Sequence, residues 1–171
     1  MILTIASVGV VTYVFGHGVR SCGEFSPISN PSQSGLVQLK GNTILLIADY
    51  QPTYGIVTNL GPLNSCTIIA PEFILKDPSN QTAVKLVEDW IEGFGVAQVT
   101  FSTCCGLPSV QANMMVGQAE AMLNVQFNVY RWGGMTFWSN SADPWVPGTV
   151  APALSGIWNL DNCSYEIVAS T

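Results

Sequence analysis

The first fifteen residues, MILTIASVGVVTYVF, carry no charged side chain and are rich in β-branched residues. Such side chains lose rotamer freedom in a helix but pack well on a pleated sheet. The first basic residue, Arg20, follows the apolar run, whereas a secretory signal has its basic segment first. The run is also shorter than the roughly 17 to 25 apolar residues of a transmembrane helix. We therefore predict a strand over residues 1–15 and no transmembrane segment.

Both faces of this predicted strand are apolar, which indicates that both are covered. One face carries Leu3, Ile5, Val11, Tyr13 and Phe15, and the other carries Ile2, Val8, Val10 and Val14. The strand either lies inside its own sandwich or completes the sheet of a neighbouring copy, as in β-augmentation. A strand at a chain end can be exchanged without unthreading, so these nine residues are candidate assembly residues.

The length of 171 residues is that of a single domain. We divide it into the strand at 1–15, a Ser-, Pro- and Gly-rich loop at 16–35 and a body at 36–171. Short strands with frequent turns predict an all-β body, a jelly-roll-like sandwich or barrel. The helical spacing of Val84, Val87 and Ile91 adds one amphipathic helix at about 78–93, capped by Asp77 or Ser79.

The predicted strands of the body are short and separated by turn residues. A hairpin joins 36–39 to 43–48, and a second joins 121–132 to 135–138 through Gly133-Gly134. Residues 108–118 alternate, but Ser109 can also cap a helix, so this segment stays undecided between strand and helix or loop, leaning to the latter. The remaining predicted strands cover 55–58, 66–70, 96–103 and 165–169.

Charged residues make up only 9% of the chain, where about a quarter is usual. The five lysines and arginines are dispersed and the net charge is −6, so direct binding to nucleic acid or to anionic lipid is disfavoured. A surface so poor in charge suits a protein that is largely covered by partners. The composition therefore predicts that the partners are copies of the same chain and a sister structural subunit.

The cysteines are odd in number, so at least one is unpaired within the chain or pairs between chains. The disulfide candidates are Cys22, Cys66, Cys104, Cys105 and Cys163. Their connectivity is open. Asn80-Gln81-Thr82 and Asn162-Cys163-Ser164 match the N-glycosylation pattern, which matters only for an exported chain.

No catalytic, metal or cofactor motif is present in the sequence. The only histidine, His17, lies between glycines, and no Cys-x-x-Cys or His-x-x-x-His spacing occurs. The carboxylates sit in no recognisable catalytic context: Asp49, Glu72, Asp143 and Asp161. The five tryptophans could line a sugar-binding groove, although packing explains those near turns and in the helix. We expect a protein without catalytic activity or cofactor.

The sequence therefore predicts a structural, self-assembling subunit, foremost a viral capsid or coat protein, located in a virion or an extracellular assembly. One alternative is a pilus-like filament subunit polymerised by donor-strand exchange. A third is a secreted carbohydrate-binding protein. Because no basic arm is present, such a coat protein would not hold the genome directly.

Overall fold

We describe the fold from a computed structural model. It describes the backbone of residues 11–15 and 18–22, and residues 35–39, 56–104, 106–132 and 134–162 in full. The helices are α1 (Gln81–Glu92) and α2 (Val116–Leu123). The strands are β1 (Val11–Phe15), β2 (Gly18–Cys22), β3 (Leu36–Gln38), β4 (Thr58–Pro62), β5 (Ile68–Ile69), β6 (Glu72–Leu75), β7 (Gln98–Cys104), β8 (Leu107–Met115), β9 (Phe127–Trp132), β10 (Met135–Asn140), β11 (Trp145–Pro147) and β12 (Leu154–Trp158).

The main sheet has the strand order β12-β6-β8-β7, with every neighbouring pair antiparallel. Short β5 pairs with the far end of β8. Along the chain these elements run β6-α1-β7-β8-α2-β12, which is the order of the split β-α-β motif known as ferredoxin-like. The segment between α2 and β12 adds β9, β10 and β11. The main sheet thus joins strands that are more than 75 residues apart in the chain, since Glu72 pairs with Trp158.

Helix α1 forms where the apolar spacing predicts it. Its buried residues are Val84, Val87 and Ile91, and Lys85 pairs with Asp89 one turn later on the exposed side. That hydrogen bond raises the pKa of Lys85. Gly93 closes the helix.

The N-cap of α1 is Asn80, and not Asp77 or Ser79 as predicted. Asn80 Oδ1 accepts a hydrogen bond from the backbone N–H of Ala83 at 3.1 Å. Asp77 instead accepts hydrogen bonds from the hydroxyl and the backbone N–H of Ser79, which lower the pKa of Asp77. The acidic residue therefore shapes the turn before the helix.

Asn80→Ala is expected to lower the free energy of unfolding by about 1 kcal/mol, because one N–H of the first turn of α1 loses its acceptor. Urea unfolding followed by circular dichroism measures the change. Asn80→Asp keeps an acceptor oxygen at the same place and should retain most of the stability. Equal losses in the two variants would show that Asn80 does not act as the cap.

The core lies between the main sheet and the two helices. Phe73 on β6 faces this side together with its cross-strand partners Val110 and Ile157, and all three are buried. Trp90 of α1 meets Phe73 edge to face, with ring centroids 5.7 Å apart. Burial of this apolar layer is the main stabilising contribution in the part of the fold that the structure describes.

Two assignments around β8 and α2 differ from the sequence prediction. Residues 107–115 form a strand, as the alternation of apolar residues within 108–118 indicated. Ser109 lies within this strand and does not cap a helix. Conversely, the predicted strand at 121–132 is too long, since residues up to Leu123 belong to α2 and only Phe127–Trp132 is a strand. Gln118 favours the helix because its Oε1 accepts from Met115 N, and Asn124 ends it in a left-handed conformation.

A smaller sheet has the order β10-β9-β4. The β9–β10 hairpin confirms the prediction of two strands joined at Gly133-Gly134, and Gly134 has a positive φ of 87°. A second core in this sheet consists of Tyr130, Trp132 and Phe137, with the rings of Tyr130 and Phe137 stacked. At the opposite end of the hairpin, Phe127 and Trp138 pack against the main core.

The mainly β class with an amphipathic helix near 78–93 is confirmed. A jelly roll, sandwich or barrel is not confirmed, because the core side of the main sheet is covered by helices. Strand β3 pairs with β11. Its predicted partner at 43–48 lies outside the described residues.

The candidate assembly strand is described only in part. Its residues Val11, Tyr13, Val14 and Phe15 belong to β1, which pairs antiparallel with β2 at Gly18–Cys22. The predicted loop at 16–35 therefore contains a strand. Ile2, Leu3, Ile5, Val8 and Val10 lie outside the described residues, as does the predicted strand at 165–169.

Candidate interaction surface

The two sides of the main sheet differ in chemistry. The register places Phe73, Val110 and Ala112 on the side of the helices. The alternate residues lie on the other side, which we call the polar face: Gly156 and Trp158 on β12, Glu72 and Ile74 on β6, Leu107, Ser109, Gln111 and Asn113 on β8, and Gln98, Thr100, Ser102 and Cys104 on β7. Glu72 is the one charged residue in this set.

Glu72 is the centre of a hydrogen-bond cluster on the polar face. It is only 7% exposed, and its Oε2 accepts from the hydroxyl of Ser109 at 2.7 Å. Its Oε1 faces Gln111 Nε2 at 3.5 Å and Asn159 Nδ2 at 3.4 Å. Asn159 reaches this position from a left-handed backbone with a φ of 58°, which asparagine tolerates. The carboxylate therefore connects β6, β8 and the residue that follows β12.

Burial of a carboxylate is costly unless hydrogen bonds compensate it. Glu72 accepts from neutral donors, and no lysine or arginine of the described segments pairs with it. Hydrogen bonds to a charged acceptor are stronger than neutral ones. The cluster thus links the strands through hydrogen bonds, and it holds the surrounding side chains of the polar face in place.

Glu72→Ala is expected to lower the free energy of unfolding by about 1–3 kcal/mol, because the buried hydroxyl of Ser109 loses its acceptor. Chemical denaturation measures this loss. The double variant Glu72→Ala/Ser109→Ala removes the orphaned hydroxyl and should recover part of the stability. If the double variant were less stable by the sum of the two single losses, the two side chains would be acting independently.

The polar face combines this buried centre with an exposed margin. Ile74 and Ser109 at the centre are buried, whereas Gln98, Thr100 and Asn113 at the β7 side are exposed. At the β12 side Trp158 is 41% exposed. Its indole lies near Gly156, where an added Cβ would be 3.8 Å from the indole nitrogen. The margin thus offers amides, hydroxyls and one aromatic ring without a formal charge.

The outer side of α1, on the opposite side of the sheet, has a different composition. It carries Lys85, Glu88, Asp89 and Glu92, and the ion pair between Lys85 and Asp89 is exposed. Interfaces with partners are depleted in charge at their centres and enriched in aromatic residues. On these grounds the polar face is the better candidate interaction surface.

The structure distributes the predicted site residues over the fold. Cys66 is disulfide-bonded, and Cys104 ends β7. Cys22 ends β2, while Cys105 and Cys163 lie outside the described residues. Of the two glycosylation candidates, Asn80 is the exposed cap of α1. Asn162 Oδ1 accepts from Trp138 N at 2.7 Å, which attaches the segment after β12 to β10.

The tryptophans do not form a common groove. Trp90 and Trp138 pack against the main core, and Trp132 belongs to the core of the smaller sheet. Trp145 is half-buried in β11. Trp158 is the one with a large exposed fraction, at 41%.

Sequence reasoning also missed Glu72 as a site residue. The signal was a single acidic residue within the apolar run Pro71 to Leu75, which is unusual for a buried strand. Its partners come from distant parts of the chain, so their proximity required the fold.

In the described part of the chain, no three His, Cys, Asp or Glu side chains lie close enough to hold a metal ion. Among the same residues, no helix has the length and apolar character needed to cross a membrane.

Comparison with known proteins gives one family. No curated protein matches the chain. The family model described as "Pro-kumamolisin, activation domain" matches residues 72–163, just over half of the chain. The match begins at the first residue of β6 and passes through both helices and β12, so it contains the complete split β-α-β unit.

This match contradicts the predicted functions. A viral capsid or coat protein, a filament subunit and a carbohydrate-binding protein are all wrong, and so is a location in a virion. The capsid and filament predictions depended on low charge and on an apolar first strand, which indicate a surface that a partner covers without specifying the partner. The carbohydrate-binding prediction depended on the tryptophans. The chain belongs to the pro-kumamolisin activation domain family.

Proposed function

We propose that the chain is the activation segment of a secreted subtilisin-like peptidase precursor of the sedolisin type, and that it keeps the peptidase inactive by binding to it. The observation that carries this proposal is the family match over residues 72–163. In this role the chain is not itself a catalyst. Its contribution is a folded surface that fits the peptidase, and its location is extracellular.

The docking surface in this proposal is the polar face. Its margin presents Trp158, Thr100 and Asn113 from three strands of one antiparallel sheet, which holds them at fixed spacing. Tryptophan is enriched among residues that dominate binding energy, and uncharged polar side chains are cheaper to desolvate than charged ones. Rigid side chains also lose less entropy on binding than side chains on loops.

The Glu72 cluster holds the strands of this surface in position. It links β6, β8 and Asn159 through hydrogen bonds, so it sets the relative position of the strands that carry the margin. The low content of charged residues fits the same role, because a surface that a partner covers needs few charges for solubility. The low charge that first suggested a coat protein is thus equally well explained by a covering peptidase.

The experiment that tests the proposal is formation of a complex with a mature sedolisin-type peptidase. Size-exclusion chromatography with light scattering should give a complex that contains one chain per peptidase. Hydrogen exchange should show new protection in β7, β8 and β12, and none on the outer side of α1. Failure to form a complex would contradict the proposed function. Protection confined to α1 would contradict the assignment of the polar face.

The expectation that the chain contacts copies of itself stays a separate prediction. It arose from the low charge of the chain and from the apolar strand at 1–15.

A further inference from the structure

The two edges of the main sheet are built differently. At one edge, β12 is short and its pairing with β6 has a register shift between Leu154 and Gly156. Short edge strands and bulges are devices that prevent pairing with other chains. At the other edge, β7 has seven residues paired with β8 in unbroken register, from Gln98 opposite Asn113 to Cys104 opposite Leu107. Among the described strands, β8 is its one partner.

Strand β7 lacks the residues that usually protect an edge. Its sequence, QVTFSTC, contains no charge, no proline and no glycine. Lysine or proline on an edge strand blocks edge-to-edge pairing, and an uncharged, β-branched edge permits it. In its centre, Phe101 lies on the helical side of the sheet and is 56% exposed. An exposed aromatic ring on an unprotected edge indicates a surface that a further strand covers.

The five central residues of this edge, Val99 to Thr103, are chemically similar on the two sides of Phe101. Thr100 and Ser102 on either side both carry hydroxyls, and Val99 and Thr103 are both β-branched. In an antiparallel pair related by a two-fold axis through Phe101, Val99 would lie opposite Thr103 of the second strand and Thr100 opposite Ser102. Such pairs of β-branched residues and of hydroxyls stabilise antiparallel strands. The absence of charge matters here, because a two-fold axis places like residues close together.

We propose that β7 is the interface of a symmetric dimer, in which a second copy of this chain pairs antiparallel with it around Phe101. The two main sheets then form one continuous sheet, with the helices of both copies on the same side. The two Phe101 rings meet across the axis, which covers their exposed surface. The polar face stays open in this dimer, since edge pairing uses backbone groups and leaves Thr100 and Trp158 where they are.

The test is sedimentation equilibrium of the full chain, with variants that place charge at the axis. The wild-type chain should show a concentration-dependent dimer. Phe101→Lys and Phe101→Glu should each raise the dimer dissociation constant by more than about tenfold, because like charges then face each other. An equal mixture of the two variants should dimerise again, because opposite charges meet at the axis. Recovery in the mixture also shows that both variants are folded.

The matched control is Ile68→Lys, which changes a residue of similar exposure, 59%, on β5 rather than on β7. This variant should dimerise like the wild-type chain. A chain that is monomeric at all concentrations would overturn the proposal, as would dimers that Phe101→Lys does not weaken. Loss of peptidase binding in Phe101→Lys, with a monomeric wild-type chain, would assign the edge to the peptidase instead. No peptidase is present in the sedimentation experiment, so its failure is distinguishable from failure of the proposed function.

Discussion

Phe73→Ala is expected to lower the free energy of unfolding by about 3–5 kcal/mol, a large part of the stability of a domain this size. Phe73 is fully buried on β6, between Val110 on β8 and Ile157 on β12, and contacts Trp90 of α1. Removal of the ring leaves a cavity where the sheet and α1 meet, and neighbours on rigid strands fill it poorly. Urea unfolding followed by tryptophan fluorescence and circular dichroism measures the loss.

Phe101→Ala is the matched control, because it removes the same side chain from an exposed position on the same sheet. It should cost less than about 1 kcal/mol when measured at a concentration where the chain is monomeric. Similar losses in the two variants would contradict the placement of the core between the helices and β6.

Trp158→Ala is expected to weaken binding to a mature sedolisin-type peptidase by about thirtyfold, equivalent to about 2 kcal/mol. Trp158 is the large exposed aromatic residue of the polar face, and it lies opposite Glu72 on the neighbouring strand. The dissociation constant should be measured by titration calorimetry. Because the side chain is partly exposed, the unfolding midpoint should change little, which separates a binding defect from a folding defect.

The control for this prediction is Leu86→Ala on α1. Leu86 is 39% exposed, close to the 41% of Trp158, but it lies on the helix side of the sheet. Its substitution should leave the dissociation constant unchanged. If Leu86→Ala weakened binding as much as Trp158→Ala, the peptidase would contact the helical side and not the polar face.

Local patterns in the sequence were sufficient for two parts of the fold. Helix α1 has an apolar stripe at helical spacing and glycines at its end, so its position followed from the sequence alone. The β9–β10 hairpin followed from alternation and from the glycines at its turn. In both cases the interactions that decide the structure connect residues close together in the chain.

Two strands of the main sheet could not be found in this way. Strands β6 and β12 are runs of four and five residues whose pairing connects positions far apart in the chain. Such short apolar runs occur in strands, helices and loops alike, and pairing with a partner strand determines which of these structures forms. Around α2 the alternation of Ala121 and Leu123 was misleading, because the contacts of Gln118 and the left-handed Asn124 favour a helix.

The candidate site depended on the same distant contacts. Glu72, Ser109 and Asn159 come together only when β6, β8 and β12 are adjacent, so no spacing in the sequence pointed to them. The composition indicated a surface that a partner covers, but it did not identify the partner. Low charge fits a coat protein and an activation segment equally well, and it was the family match that contradicted the coat protein.

The central claim is that this chain binds a sedolisin-type peptidase through the polar face and thereby inhibits it. The most direct measurement is the hydrolysis rate of a mature peptidase of that type, titrated with the purified chain. We predict a saturable loss of activity that is complete near one chain per peptidase, with Trp158→Ala requiring a much higher concentration. Full activity in the presence of excess folded chain would contradict the claim.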